Sequence, residues 1–228
     1  MEARVIIVVP AYNEERTIVG VIRGLKGRGF TRIIVVDDNS SDRTSELARN
    51  EGVILLRHIL NRGLGGALGT GIKAALCFKP EVIVTFDADG QHDPDDILRL
   101  LEPIEKGEVD AVIGSRMQDI GGMPWFRRIA NRLANLVTYL FFGIWTTDSQ
   151  SGLRAFSRNA AGRLQIMTSG MEVSSEMIAE IARNGLRCKE VPIKAIYTEY
   201  SLSKGQNFRL GLETLVKLIL AKLRRIAL

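Results

Sequence analysis

The sequence predicts an α/β fold, a mostly parallel central sheet with helices on both faces. Short β-branched runs alternate with helix-length stretches through the first half of the chain, the rhythm of strands joined by crossover helices. The 228 residues, 46% hydrophobic and 25% charged, suit one large domain with a sizeable core and argue against wholesale disorder. Acidic and amide residues gather just past three of the strand candidates, where ligands bind in parallel α/β sheets.

The elements follow in order. Strands are expected at residues 5–9, 32–36, 53–57, 82–86 and 111–113, with helices at 15–26, 41–51, 65–78 and 94–106 between them. Ser41, between Ser40 and Asp42, sits where a cap would open the second helix. After Gly114 the rhythm changes: a loop with Gly121, Gly122 and Pro124 leads to a helix at 125–142, a polar segment at 146–151 and an extended piece at 152–156. A helix at 173–184 and a strand at 187–196 complete the body. The expected division is a domain at 1–205 and a helix at 206–228, with no internal repeat.

The net charge of +5 is uneven. From Gly205 to Leu228, Arg209, Lys217, Lys222, Arg224 and Arg225 face Glu213 alone, a basic tail on a nearly neutral body. Leu212, Leu215, Val216, Ile219, Leu223 and Ile226 form one helical stripe there, with Lys217, Arg224 and Arg225 opposite. Such a helix either lies in a membrane interface or packs its stripe on the body or a partner subunit. Aromatic and basic residues do not interleave as in base-stacking surfaces, so nucleic acid is not an expected partner. No stretch reads as a membrane span or signal peptide, and Cys77 and Cys188 offer neither a zinc spacing nor a disulfide framework. The expectation is a cytoplasmic protein, peripheral at the cytoplasmic face of a membrane.

Three clusters carry the chemistry: Pro10-Ala11-Tyr12-Asn13-Glu14, Asp37-Asp38-Asn39-Ser40 and Asp87-Ala88-Asp89-Gly90-Gln91. Their oxygens suit a hard divalent cation that bridges substrate phosphates, and Asp87, Asp89 and Gln91 are spaced to approach one ion if the loop turns. Asp93, Asp95 and Asp96 read as turn and cap residues. His92 is either a turn residue or a neighbour of the metal. Gly69-Thr70-Gly71 with Ala74 formally fits a dinucleotide fingerprint, but it lies inside a helical stretch and does not follow the first strand. Gly66 to Gly71 has phosphate-loop spacing with Ile72 in the place of the lysine. With only His58 and His92 available, and no nucleophile elbow, serine or cysteine hydrolase chemistry finds no footing.

The ordered motifs are specific. Val8-Val9-Pro10-Ala11-Tyr12-Asn13-Glu14-Glu15, Val35-Val36-Asp37-Asp38-Asn39-Ser40-Ser41-Asp42 and Asp87-Ala88-Asp89-Gly90-Gln91-His92-Asp93-Pro94 resemble family 2 glycosyltransferases of the GT-A fold. Ile113-Gly114-Ser115-Arg116, Asp148-Ser149-Gln150-Ser151-Gly152-Leu153-Arg154, Glu190-Val191-Pro192-Ile193 and Ser203-Lys204 narrow the resemblance to the dolichyl-phosphate mannose synthase and polyprenyl-phosphate glycosyltransferase group. It covers about residues 4 to 205.

The resemblance implies a nucleotide-sugar donor of the GDP-mannose or UDP-glucose type, Mg²⁺ or Mn²⁺, and a polyprenyl (dolichyl) phosphate acceptor. It places Pro10, Ala11, Tyr12, Glu14, Asp38, Asp87, Ala88, Asp89 and Lys204 at the nucleotide sugar, with Asp87, Asp89 and Gln91 on the metal. Arg116, Arg127 and Asn131 match the acceptor-phosphate site, and Asp89, Arg116, Arg127 and Asp148 form the expected catalytic set. Asp148 would chiefly orient the arginines. A phosphate acceptor is already an anion, so inverting displacement needs no strong base. Asn131 replaces a common Ser, Ser201 a Gly and Thr198 an Arg of the mannosyl pattern, and Asp148-x-Gln150 looks more like glucosyl-type members. A membrane surface and a membrane subunit reached through the C-terminal helix are the expected partners. A non-lipid acceptor and a non-catalytic nucleotide-sugar-binding subunit are the alternatives. A nucleotidyltransferase would need a Gly-rich basic loop after the first strand, where Pro10 to Arg16 stands.

Overall fold

The computed structural model describes residues 4–117, 132, 135, 136, 139, 145–194 and 196. The elements are β1 (Val5–Ala11), α1 (Ile18–Gly27), β2 (Ile33–Asp37), α2 (Thr44–Asn50), β3 (Ile54–Arg57), α3 (Gly63–Cys77), β4 (Val82–Thr85), α4 (Asp96–Glu105), β5 (Ala111–Ser115), β6 (Arg154–Ser157), α5 (Arg158–Arg163), α6 (Val173–Arg183) and β7 (Cys188–Pro192). The seven strands form one sheet in the order β3-β2-β1-β4-β6-β5-β7. Only β6 runs against its neighbours, antiparallel to β4 and β5; the other pairings are parallel.

The β-branched runs become strands because both faces of the sheet are covered. Successive residues of β1 point to opposite sides: Val5, Ile7 and Val9 join one core with Ile22 and Leu25 of α1 and Ile97 and Leu101 of α4. Ile6 and Val8 join the other with Ala67 and Ile72 of α3 and Met177 and Ile178 of α6. Each fully buried Ile or Val side chain contributes about 1.5–3 kcal/mol, which is why the runs Val5–Val9 and Ile33–Val36 carry no polar residue. The glycines of α3 serve this packing and not a nucleotide: a Cβ on Gly71 would stand 2.3 Å from Val8 Cγ1.

The differences from sequence expectation lie at element ends. α2 begins at Thr44, not at Ser41, because Ser41 N–H donates to Asn13 Oδ1 (2.9 Å) and Asp42 Oδ1 accepts the Thr44 N–H (3.0 Å). α1 starts at Ile18, after Asn13 takes a left-handed φ of 54°. The extended piece is a four-residue strand, and α5, which the pattern did not announce, follows it with Ser157 Oγ accepting the Ala160 N–H. Residues 132, 135, 136 and 139 are helical; the rest of the expected 125–142 helix and the 206–228 helix lie outside the described residues. Among the described residues, no helix is long and apolar enough to cross a membrane.

From β1 the chain steps outward to β2 and β3, then α3 carries it back to β4 on the opposite side of β1. The loops after β1 and β4 therefore part at a topological switch point and leave a crevice. Because β6 runs backwards, its first residue, Arg154, pairs with Thr85 near the carboxyl end of β4 and with Ile113 of β5. Its approach brings Gly152 to the same crevice.

Candidate active site

The loops after β1 and β2 form one laced wall. Asn13 N–H donates to Ser40 Oγ (2.9 Å) and Glu14 N–H to Thr44 Oγ1 (2.8 Å), while Asp38 N–H donates to Ala11 O (2.9 Å). Pro10 and Ala11 are buried in β1, Ala88 is buried after β4, and Tyr12 stands 49% exposed on the rim. Asp37 is fully buried and takes the Ser40 and Ser45 hydroxyls together with Arg57 Nε at 3.2 Å. Asp38 is also buried and already committed. Its carboxylate accepts the Arg62 and Gly63 N–H groups at 2.8 and 2.7 Å and lies 2.7 Å from His58 Nδ1. It thus caps the start of α3, and His58 passes the contact on to Thr70 Oγ1 at 2.9 Å.

The loop after β4 turns back at Gly90, φ 77°, setting Asp89 close to Asp87 and Gln91 against Asp89. Gln91 donates its N–H to Asp89 Oδ1 (3.0 Å) and its side-chain amide to Asp89 Oδ2 (2.5 Å), so it braces Asp89. His92 is buried, with Nε2 3.0 Å from Asp87 Oδ2 and its ring edge-on to Phe86. Burial pushes the Asp87 carboxyl upward, but the His92 hydrogen bond and charge, with the charges of Arg116 and Arg154, outweigh it and hold Asp87 below the usual range. Asp89 is raised by burial and then by the charge of Asp87 beside it, against the Gln91 N–H. The Gly152 backbone lies against Asp87: a Cβ there would stand 2.1 Å from Asp87 Oδ2.

This donor set fits a hard cation. The two carboxylates repel each other, and among the described residues no cluster of three or more His, Cys, Asp or Glu could hold an ion unaided. Mg²⁺ and Mn²⁺ suit a site of one or two carboxylates completed by substrate phosphate and water.

Opposite the acidic loop is a cationic one. Arg116, just past β5, donates Nε to Asp148 Oδ2 (2.7 Å) and Nη2 to Oδ1 (2.9 Å), and its backbone N–H also reaches Oδ2 (3.0 Å). Asp148 is fully buried, so this two-pronged bond fixes the guanidinium plane. The Asp148 loop is itself clamped. Glu190 accepts the Thr147 N–H (2.8 Å) and hydroxyl (2.9 Å), and Asn135 brackets Asp148 by donating to Thr147 O (2.5 Å) and accepting from Ser149 N (2.8 Å). Arg127, Asn131 and Lys204 lie outside the described residues.

Sequence reasoning missed Arg154, Gly152, Asn135 and Glu190 as site-builders. Arg154 is 1% exposed, donates Nη2 to Ser149 O (2.8 Å), and has no hydrogen-bond partner for Nε among the described residues. Burial lowers its pKa to about 10, with Asp148 and Asp87 opposing the fall, so it stays a cation at neutral pH between those two acids. An arginine inside a strand-length segment, Arg154-Ala155-Phe156, was the available signal.

Comparison with known proteins places this architecture. Residues 6–164 match the family described as glycosyl transferase family 2. The chain belongs to that family. This family 2 glycosyltransferase is 53% identical over 96% of its length to an uncharacterized protein of Methanocaldococcus jannaschii, covering 92% of it. It is 37% identical to the UDP-N-acetylglucosamine–dolichyl-phosphate N-acetylglucosaminyltransferase of Methanococcus voltae, covering 96% of each chain. To the polyprenol monophosphomannose synthase of Mycolicibacterium smegmatis it is 30% identical, over 90% of this chain and 83% of that one. The glycosyltransferase shares the GT-A fold with glucosyl-3-phosphoglycerate synthase of Mycobacterium tuberculosis, crystallised with Mn²⁺, UDP and glucosyl-3-phosphoglycerate. That match has a TM-score of 0.74 at 21% identity and covers 96% of this chain and 78% of the other.

Proposed function

We propose that this glycosyltransferase moves a sugar from a nucleoside diphosphate donor to a polyprenyl phosphate, with UDP-N-acetylglucosamine the leading donor. The observation that carries the reading is the Arg116–Asp148 fork, whose cation lies within electrostatic reach of Asp87. A fixed guanidinium facing paired carboxylates gives the crevice a second phosphate-binding pole. A neutral hydroxyl acceptor needs no such pole and would need a base instead. The relative that uses UDP-N-acetylglucosamine by name matches over 96% of both chains at 37% identity, above the 30–32% of the mannosyl relatives, and this favours the donor.

In this mechanism Pro10, Ala11, Tyr12, Glu14 and Ala88 line the nucleotide, and Asp38 serves them indirectly by ordering the start of α3. Asp87 and Asp89 hold Mg²⁺ or Mn²⁺, which when bound offsets charge on the departing diphosphate. Gln91 and His92 keep the two carboxylates in place. Arg116, oriented by Asp148, grips the acceptor phosphate together with Arg127 and Asn131, and Lys204 adds a cation near the phosphates. The acceptor phosphate, with a second pKa of about 6, arrives largely ionised. One of its oxygens attacks the anomeric carbon as the bond from that carbon to the diphosphate oxygen breaks, inverting the centre. No proton has to be removed. Asp148, sealed from solvent and held by Arg116, acts through orientation, and the rate comes from positioning and charge stabilisation.

The test combines purified protein, a polyprenyl phosphate in detergent, and UDP-N-acetylglucosamine, UDP-glucose or GDP-mannose, with Mn²⁺ or EDTA, read by mass spectrometry. A lipid-phosphate sugar from one donor, lost with EDTA and in Asp89→Ala, is expected. Transfer to a hydroxyl acceptor with lipid phosphate ignored would reject the proposal.

A further inference from the structure

Three acids follow the Asp87–Gln91 loop, and they do different work. Asp93 Oδ1 accepts the Asp95 N–H (3.0 Å), a turn contact, and Asp95 makes an ion pair with Arg28 at 2.6 Å. Asp96 is 2% exposed, and its Oδ2 accepts the backbone N–H of Lys194 at 2.8 Å, 98 residues along the chain. Arg99 Nη1, one turn further into α4, donates to Asp96 Oδ1 (3.1 Å) and to Pro192 O (3.4 Å). The start of α4 thus grips the segment that leaves β7. Residues 193–196 of that segment form a strap across the crevice loops. Ile193 N–H continues the β5 ladder to Ser115 O (3.1 Å), Lys194 is held by Asp96, and Ile196 N–H donates to Gln91 O (2.9 Å). Gln91 in turn holds both oxygens of Asp89. A buried carboxylate is costly unless it is matched, and α4 packs on the sheet through Ile97, Leu100, Leu101 and Ile104 without it.

We infer that Asp96 is a positioning residue for the metal site: through Lys194 and Ile196 it fixes the peptide of Gln91, and through Gln91 the carboxylate of Asp89. The inference rests on the proposed role of Asp89 in holding Mg²⁺ or Mn²⁺ and adds what keeps that carboxylate aimed. The contacts are in series, from Asp96 to the strap, from the strap to Gln91 O, and from Gln91 to Asp89. Breaking either of the first two frees the Gln91 peptide to turn. Groups that orient a metal ligand from outside change metal affinity by about 10–100-fold when they are removed. The Ile193 bond to Ser115 belongs to the sheet and survives the loss of Asp96, so the effect falls on the metal loop.

Mn²⁺ binding to the full chain with UDP present, followed by electron paramagnetic resonance, tests this without turnover. Asp96→Ala and Ile196→Pro should each raise the Mn²⁺ midpoint about tenfold. Proline at 196 removes the N–H that meets Gln91 O, and Ile196 is 41% exposed, so this variant leaves the core closed if Asp96→Ala fails to fold. The double variant should need no more Mn²⁺ than the weaker single variant, because both changes break one strap. Asp96→Asn keeps an oxygen for the Lys194 N–H and should recover the parent's midpoint. Without metal, hydrogen exchange at the Ile196 amide should be slow in the parent and fast in Asp96→Ala. A lowered thermal midpoint with an unmoved Mn²⁺ midpoint in both single variants would leave Asp96 a purely structural role and overturn the inference. Losses that multiply in the double variant would also overturn it, since two independent paths would then reach Asp89. A parent protein that takes up no Mn²⁺ with UDP would reject the metal reading itself, whereas a parent that binds Mn²⁺ no better than Ile196→Pro would reject the strap alone.

Discussion

The two sides of the crevice handle buried charge differently. On the β1–β2 side, Asp37 and Asp38 are consumed by the protein: hydroxyls, backbone N–H groups, His58 and Arg57 take their oxygens, and the result is a braced wall. On the β4–β5 side, charge faces charge, with Asp87 against His92 and Arg154, and Asp148 against Arg116. Saturating a carboxylate with hydrogen bonds makes it structural. Pairing it with cations while another carboxylate, Asp89, is pushed up beside it leaves an arrangement that a charged ligand completes.

The comparison can be broken in graded steps. Asp89→Ala should have the largest effect, about a thousandfold or more in kcat/KM, with loss of metal-dependent nucleotide binding in calorimetry and an unchanged circular dichroism spectrum. Asp148→Asn keeps the side chain's shape but removes the charge under Arg116; a loss of about a hundredfold is expected, expressed mainly in KM for the acceptor. Equal loss for donor and acceptor would show that Asp148 does not act through Arg116. Gly152→Ala should follow, with about a tenfold loss and a higher Mn²⁺ requirement, because the added methyl displaces Asp87. On the braced side, Asp38→Ala should cost about 1–3 kcal/mol of stability, the penalty for leaving buried N–H groups unpaired. It should lower the thermal midpoint while the well-folded fraction keeps most of its turnover. If it instead abolished nucleotide binding without loss of stability, the division between the two sides would fail.

The smallest effect lies far from the crevice. Arg187 grips Asp110 through two 3.0 Å bonds from its guanidinium and one from its backbone N–H, and that hydrogen bonding, despite some burial, holds the Asp110 carboxyl below its ordinary value. Its stabilisation is therefore present above the unfolded pKa of about 3.9 and disappears as pH falls through the lower folded value. A slight midpoint difference between the parent and Asp110→Asn at neutral pH should vanish under strongly acid conditions.

Much of this was legible in the sequence for a physical reason. Strands buried on both faces must be apolar runs, and loops rich in polar residues follow them, so β1 to β5 and the clusters at Tyr12, Asp38 and Asp87 were legible from pattern, whereas Arg116 was pointed to only by the family resemblance. Asp38 was legible as a crevice residue but not as a cap, because its partners, Arg62 and Gly63, lie 24 and 25 residues away. Arg154 shows in the sequence as an arginine opening a strand-length segment, but that local pattern does not reveal its burial. Its burial depends on Asp87 and Asp148, from two separate loops, meeting over one strand. Glu190 and Asn135 became site residues only through contacts with the 146–149 segment, across 43 and 12 residues respectively.

The reversed strand β6 has a consequence for how the enzyme matures. Side chains in a strand alternate, so slipping β6 by one residue would turn Arg154 to the other face and withdraw Gly152 from Asp87 in one movement. One register therefore sets both the Gly152 backbone against Asp87 and the Arg154 cation between Asp87 and Asp148. A chain with β6 out of register lacks both contacts at once.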